Sequence, residues 1–190
     1  MDYLIKFEYV LPHNLFNSIQ DDLCFDWTLN NYSSSPDQHL SWALSTINDK
    51  ILFYEAAAII KLKILKHLKQ KMQLIKIHVN GQTSGQVAEF HYDFLEQNSW
   101  TFILFTNTFW NTQWGGEFVC QDPDTGKYNY TTYIPNCGVL IPAWWQHYGS
   151  SPNHSTDKLR TTIAFSYANY NEIENTLKYY RKKPNLDCLR

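Results

Sequence analysis

After Lys71 the spacing of apolar residues changes from about four to two, and that switch limits the folds open to the chain. Before it, Leu52, Ala56, Ile60, Ile64 and Leu68 recur every fourth place, with Ile59 and Leu65 widening the stripe. This predicts an amphipathic helix from Ile51 to about Lys71. Lys61, Lys63, Lys66, Lys69 and Lys71 cover much of the rest and read as a solvated face rather than a basic groove for a polymer. After it, Leu74, Lys76 and His78 alternate with Ile75, Ile77 and Val79. Further strands are expected at Val87–His91, Trp100–Asn107, Glu117–Cys120, Tyr128–Ile134, Gly138–Ile141 and Arg160–Tyr167, separated by turn-rich stretches such as Asn80-Gly81-Gln82-Thr83-Ser84-Gly85 and Pro123-Asp124-Thr125-Gly126. Helices followed by many short strands predict a two-sheet β-sandwich with helices backing one sheet.

Upstream, Tyr3–Val10 reads as a first strand, Leu11-Pro12-His13-Asn14 opens a helix toward Leu23, and polar Trp27–Pro36 reads as a surface loop. With 190 residues and no repeat or linker, one domain is expected over 1–190: helical support about 11–72, a core about 74–168 and a tail 169–190. Seven Trp, thirteen Tyr and eleven Phe suit a β-rich core filled by large side chains. A net charge of -2 gives no general pull toward nucleic acid or an anionic membrane, so neither partner is expected. No apolar run reaches spanning length, and Asp2, Lys6 and Glu8 interrupt the N-terminus, unlike a signal peptide; a cytoplasmic location is expected. Cys24, Cys120, Cys137 and Cys188 form no C-x-x-C pair and read as reduced thiols, with Cys120 and Cys137 on strands that could face each other.

Chemistry enters with His91-Tyr92-Asp93, an imidazole and a carboxylate two residues apart and so on one face of a strand. Alone the tripeptide is weak. With a second imidazole from a distant strand, His147 in Pro142-Ala143-Trp144-Trp145-Gln146-His147, it can occupy one face of an octahedral metal and leave three positions open. His154 follows Ser150-Ser151-Pro152-Asn153 and reads as a solvent-facing loop residue; His78 reads as packed in the barrel or at its rim. His13, His39 and His67 have no partner pattern. Arg160 stands alone among apolar neighbours, sharing a face with Thr162, Ala164 and Ser166, which are small enough to line a pocket. A guanidinium there suits a carboxylate, held by two parallel hydrogen bonds. The other reading is a strand-edge surface arginine.

The run Ile77–Tyr167 resembles the 2-oxoglutarate- and Fe(II)-dependent dioxygenases, in particular their compact prolyl-4-hydroxylase-like branch. The matching elements are His91-x-Asp93, Asn107-x-x-Trp110 leading to Trp114-Gly115-Gly116-Glu117, Gly138-Val139-Leu140-Ile141-Pro142 before His147, and Arg160-Thr161-Thr162. Order and spacing agree over about half the chain; the first ninety residues match only as supporting helices. The resemblance implies a mainly β fold, a double-stranded β-helix (jelly roll, cupin-like) with N-terminal helices packed on one sheet. It implies Fe(II) held by His91, Asp93 and His147, with His147 preferred to His154 for its gap to Arg160. It further implies 2-oxoglutarate chelating the iron and anchored by Arg160, O2 as oxidant and ascorbate as a candidate reductant.

The activity implied is hydroxylation of an unactivated C–H bond with release of succinate and CO2. A carboxylate at Asp93 favours this over halogenation, because related halogenases have a small residue there; desaturation or cyclisation stays open. One departure is Phe105, where many relatives present a tyrosine to the cosubstrate, and phenylalanine has no donor. Thr101, Asn80 and Thr162 are the candidate substitutes, unranked. Trp100, Trp110, Trp114, Trp144 and Trp145 read as scaffold, with Trp114 placed to reach the rim. The mouth loops, about 80–86, 94–99 and 121–130, suit a peptide, a free amino acid or another small metabolite. Two other classes remain: a metal hydrolase, for which no H-E-x-x-H signature is present, and a non-catalytic jelly-roll binding module.

Overall fold

The helices form where the sequence stripes them. In the computed structural model, which describes residues 4–23, 27–32, 40–44, 50–86 and 89–169, α1 spans His13–Asp22 and α2 spans Lys50–Leu68. Pro12 immediately precedes α1, where its missing N–H costs no helical bond and its fixed φ of -54° suits the entry. The helix then buries Leu15, Phe16 and Ile19. From α2, Ala56, Ile60 and Ile64 go inward as the stripe requires, but Leu65 is 38% exposed and the stripe is widened instead by Phe53 and Ala57. The lysine-rich side faces outward, with Lys61 and Lys66 exposed.

Among the described residues ten strands follow in order: β1 Ile5–Phe7, β2 Trp27–Tyr32, β3 Leu40–Leu44, β4 Met72–Gln82, β5 Ser99–Phe105, β6 Phe118–Gln121, β7 Tyr128–Thr131, β8 Gly138–Pro142, β9 His147–Gly149 and β10 Arg160–Asn169. Seven make a large antiparallel sheet in the order β1-β8-β5-β10-β4-β3-β2, and three a small one in the order β7-β6-β9. Period-two alternation divides the large sheet into two faces. Val79, Phe102, Leu104, Leu140, Ile163, Phe165 and Tyr167 meet the helices, and the Tyr167 hydroxyl donates to Ala57 O at 2.8 Å. Ile103, Phe105, Val139, Ile141 and Ala164 face the small sheet, where Phe118 and Cys120 meet them. The result is the expected jelly roll with helices on one sheet.

Several local expectations are corrected. Trp27–Tyr32 is a strand, not a loop: a ladder pairs backbone groups whatever the side-chain polarity, and β2 pairs with β3. Trp27 and Trp42 then close over Gly81, where a Cβ would lie 2.8 and 3.0 Å from them. Asn80, Gly81 and Gln82 belong to β4, and the turn is confined to Ser84 and Gly85. The strand expected to end at His91 is reduced, in its described part, to a single bridge between His91 and His147, and Asp93 lies in a bend beyond it. β7 stops at Thr131. Cys120 and Cys137 are free thiols beside the same inter-sheet core. Cys24, Cys188, His39, Val87, residues 33–36 of the expected loop and the tail from 170 lie outside the described residues. Among the described residues no helix is long and apolar enough to cross a membrane.

Candidate metal centre

His91, Asp93 and His147 converge, each offering one ligand atom within 4.8 Å of the others. Backbone pairing sets two of them: His91 N–H donates to His147 O at 3.1 Å and His147 N–H to His91 O at 3.0 Å, so the two imidazoles leave one bridge side by side, ring centroids 4.5 Å apart. Asp93 is fixed through the Ala143 carbonyl, which accepts from its N–H at 3.0 Å. Asp93 Oδ2 then lies 3.5 Å from His147 Nε2, and Asp93 Oδ1 lies 4.0 Å from His91 Nε2.

The protonation pattern suits a cation. His91 Nδ1 meets Glu89 O at 3.0 Å and His147 Nδ1 meets Trp145 O at 2.9 Å. A carbonyl only accepts, so each Nδ1 carries the hydrogen and each Nε2 lone pair is turned toward the centre. Burial drives His147 down to about 4, against the pull of Asp93, which keeps its ring neutral. Burial also works against ionised Asp93, but His147, His91 and the Thr101 hydroxyl outweigh it and hold the carboxyl below its usual range. Two neutral imidazole nitrogens and one carboxylate fit Fe(II) or a similar divalent ion.

Arg160 lies inside the sandwich, 2% exposed, so the surface-arginine reading does not hold. Its Nε donates to Gly116 O at 2.7 Å and Nη1 to Gln82 Oε1 at 2.9 Å, with the guanidinium carbon 5.1 Å from the Tyr133 ring centroid. Burial lowers its pKa to about 10, so it remains cationic at neutral pH. Among the described residues no acidic side chain forms an ion pair with it. Gly149, whose added Cβ would lie 2.9 Å from Nη1, is two residues beyond His147 on β9, about 7 Å of strand. The guanidinium and the cluster thus meet opposite ends of one three-residue strand.

The other candidates separate. Thr101 donates to Asp93 Oδ2 at 2.5 Å and so orients the carboxylate of the cluster. Asn80 and Thr162 are paired across β4 and β10, with Phe105 opposite Thr162 on the other side, and Asn80 also hydrogen-bonds His78. His154 is exposed and bonded to Ser84 at 2.8 Å, in a loop. Trp114 packs edge-on against Trp110, 5.3 Å between centroids.

Sequence reasoning missed the residues that hold Arg160. Gln82 accepts from the guanidinium and donates its own Nε2 to Gly149 O at 2.8 Å. The period-two polar face Lys76, His78, Asn80 continues to Gln82 and was the available signal. Gly116 and Gly149 leave room on two sides of the guanidinium. Tyr133 stacks on Phe105 at 4.7 Å, and its hydroxyl is within reach of Asn107 Oδ1 (2.6 Å) and Thr161 O (2.5 Å). That hydroxyl is committed to joining β5 to β10 and does not replace the tyrosine absent at Phe105.

No family model matches the chain, and no curated protein does. Solved structures do. A prolyl hydroxylase from Trichoplax adhaerens, in complex with a hypoxia-inducible-factor oxygen degradation domain peptide, is 14% identical with a TM-score of 0.68, covering 93% of this chain and 88% of its own. An oxidoreductase of the 2OG-Fe(II) oxygenase family from Burkholderia pseudomallei is 11% identical with a TM-score of 0.69, covering 87% and 85%. HygX from Streptomyces hygroscopicus, with nickel and 2-oxoglutarate bound, is 12% identical with a TM-score of 0.64, covering 88% and 83%. At such identities the likeness is one of fold.

Proposed function

We propose that the protein is a 2-oxoglutarate- and Fe(II)-dependent oxygenase that hydroxylates an unactivated C–H bond of an amino acid, free or within a peptide. The observation that carries this reading is the buried guanidinium of Arg160, without an acidic partner among the described residues and one short strand step from a His-Asp-His cluster. Burying a cation without a counter-charge is expensive, so the arrangement is stable when a ligand brings the carboxylate. The similar folds include a prolyl hydroxylase solved with a peptide and a protein solved with nickel and 2-oxoglutarate, which supports the cosubstrate and a substrate within a peptide.

When bound, Fe(II) and 2-oxoglutarate supply the oxidative chemistry: one O2 and one keto diacid convert R–H to R–OH, with succinate and CO2 as co-products. This chain's residues position those reactants. His91, Asp93 and His147 would hold the metal through two imidazole nitrogens and one carboxylate. Arg160 takes the far carboxylate, with Gln82 and the Gly116 carbonyl fixing its orientation, and Thr162 is placed to add a donor beside Phe105. Asp93 retains two roles, binding the metal and accepting from Thr101. Ascorbate is the reductant expected to sustain turnover. Another small metabolite as substrate, or desaturation or cyclisation, is compatible with the same site.

The test is succinate release with Fe(II), ascorbate and 2-oxoglutarate. His91→Ala and Asp93→Ala should abolish it, and His154→Ala should keep most of it. Loss in His154→Ala with retention in His147→Ala would overturn the ligand set. A metal hydrolase would give no succinate, and a binding module would show no metal-dependent 2-oxoglutarate binding.

A further inference from the structure

Arg160 is the first residue of β10, and the strand is not paired alike on its two edges there. β4 reaches back to Arg160 through Gln82, whereas β5 matches β10 only from Thr162 onward and ends at Phe105. Thr106 N–H still donates to Thr161 O, at 3.2 Å. Where β5 has ended, the side chain of Asn107 takes over. Its Nδ2 donates to Leu159 O at 2.9 Å and its Oδ1 accepts from Thr161 N–H at 2.9 Å. A carboxamide carries the donor and the acceptor of a peptide group, so it pairs with the C=O before Arg160 and the N–H after it as a neighbouring strand would. The same residue holds the ring under the guanidinium. Asn107 N–H donates to the Tyr133 hydroxyl at 3.0 Å, and that hydroxyl lies 2.6 Å from Asn107 Oδ1. Tyr133 is buried, with its ring centroid 5.1 Å from the guanidinium carbon, a cation–π distance.

We infer that Asn107 is a positioning residue for Arg160, fixing the backbone from which it projects and the ring beneath its head, and so sets the preference for a keto diacid over a keto monoacid as cosubstrate. The inference rests on the oxygenase reading. Gly116 O and Gln82 Oε1 hold the guanidinium itself, but the root of the side chain lies at a strand end, where backbone pairing opens most readily. Two parallel hydrogen bonds to a carboxylate tolerate little displacement of the fork that donates them. Asn107 removes that freedom from both sides of Arg160, and its loss is felt at the carboxylate end of the cosubstrate and not at the metal, whose ligands are set by the His91–His147 bridge and by Ala143 O.

The test uses the whole protein loaded with Mn(II) under nitrogen, with binding followed by calorimetry. The probes are 2-oxoglutarate and 2-oxopentanoate, which has the same carbon chain with a methyl group in place of the far carboxylate. Wild type should bind the diacid about a hundredfold more tightly, the worth of a charge-assisted pair. Asn107→Ala should cut that preference about tenfold by weakening the diacid, while affinity for the monoacid and for Mn(II) changes less than about threefold. In an Arg160→Leu background the same substitution should change 2-oxoglutarate binding less than about threefold, because the group it positions is gone. Asn107→Ser keeps a polar group but cannot span Leu159 O and Thr161 N–H; it should act in the same direction and decides the case if loss of Mn(II) binding shows that the alanine variant does not fold. A preference kept in the variants, an equal loss for the two keto acids, or an undiminished loss in the Arg160→Leu background would each overturn the inference and leave the oxygenase reading standing. Wild type that binds the two keto acids alike, or binds neither, would instead bring down Arg160 as the cosubstrate anchor, and the inference with it.

Discussion

Arg160 depends on residues that lack functional groups as much as on those that have them. A methyl group at Gly149 would stand 2.9 Å from Nη1 and 3.0 Å from Nη2, too close to stay, and the guanidinium is already fixed by Gly116 O and Gln82. Gly149→Ala is therefore expected to displace the cation and weaken 2-oxoglutarate binding roughly ten- to hundredfold, or about 1–3 kcal/mol, with the fold intact; titration with Mn(II) present measures it. Thr101 acts through Asp93. Removing its hydroxyl in Thr101→Val leaves one carboxylate oxygen without its donor, and metal affinity should fall about tenfold or more, the range expected when a group orienting a ligand is lost. Unchanged Mn(II) affinity would mean that Asp93 is held by its backbone alone.

At the scale of elements, the helices serve the site by closing the far face of the sheet that carries it. Ile60 of α2 is fully buried in the cluster that contains Phe102, Ile163 and Phe165, which alternate with site-facing Thr101, Thr162 and Ala164. Ile60→Ala should cost about 2–5 kcal/mol in chemical denaturation, through lost burial and a residual cavity. A cost below 1 kcal/mol would show that the helix repacks freely. The same period that builds this core aims the site, because each strand gives alternate residues to the helices and to the metal side. β9 is only three residues long, yet it carries both His147 and Gly149 and so joins the metal cluster to the arginine pocket. Its shortness conceals it in sequence, where Trp144-Trp145-Gln146-His147 shows no alternation to read.

For the whole molecule, folding holds two histidines in neutral form, His147 buried and His78 half-buried. His147 and His78 are each lowered to about 4 from 6.5, in both cases chiefly by burial. Between those values the unfolded chain takes up protons that the folded chain does not, so stability is complete above about pH 6.5 and declines as pH falls toward 4. The metal-free protein should therefore lose thermal stability steadily across that window; a melting temperature independent of pH from 6.5 to 4 would contradict the burial of these rings. The sequence by itself determined the two-sheet fold and the supporting helices, because alternation and helical stripes are local patterns that burial reads directly; His91, Asp93, His147 and Arg160 were legible only through the order and spacing of their motifs, which resemble a known family. The polar strand β2, the place of Gln82, the glycine room around Arg160 and the partner of Thr101 were decided only in three dimensions. Each depends on a neighbour distant in the chain, and a ladder or a hydrogen bond forms according to what the fold brings opposite, not according to what lies beside it in sequence.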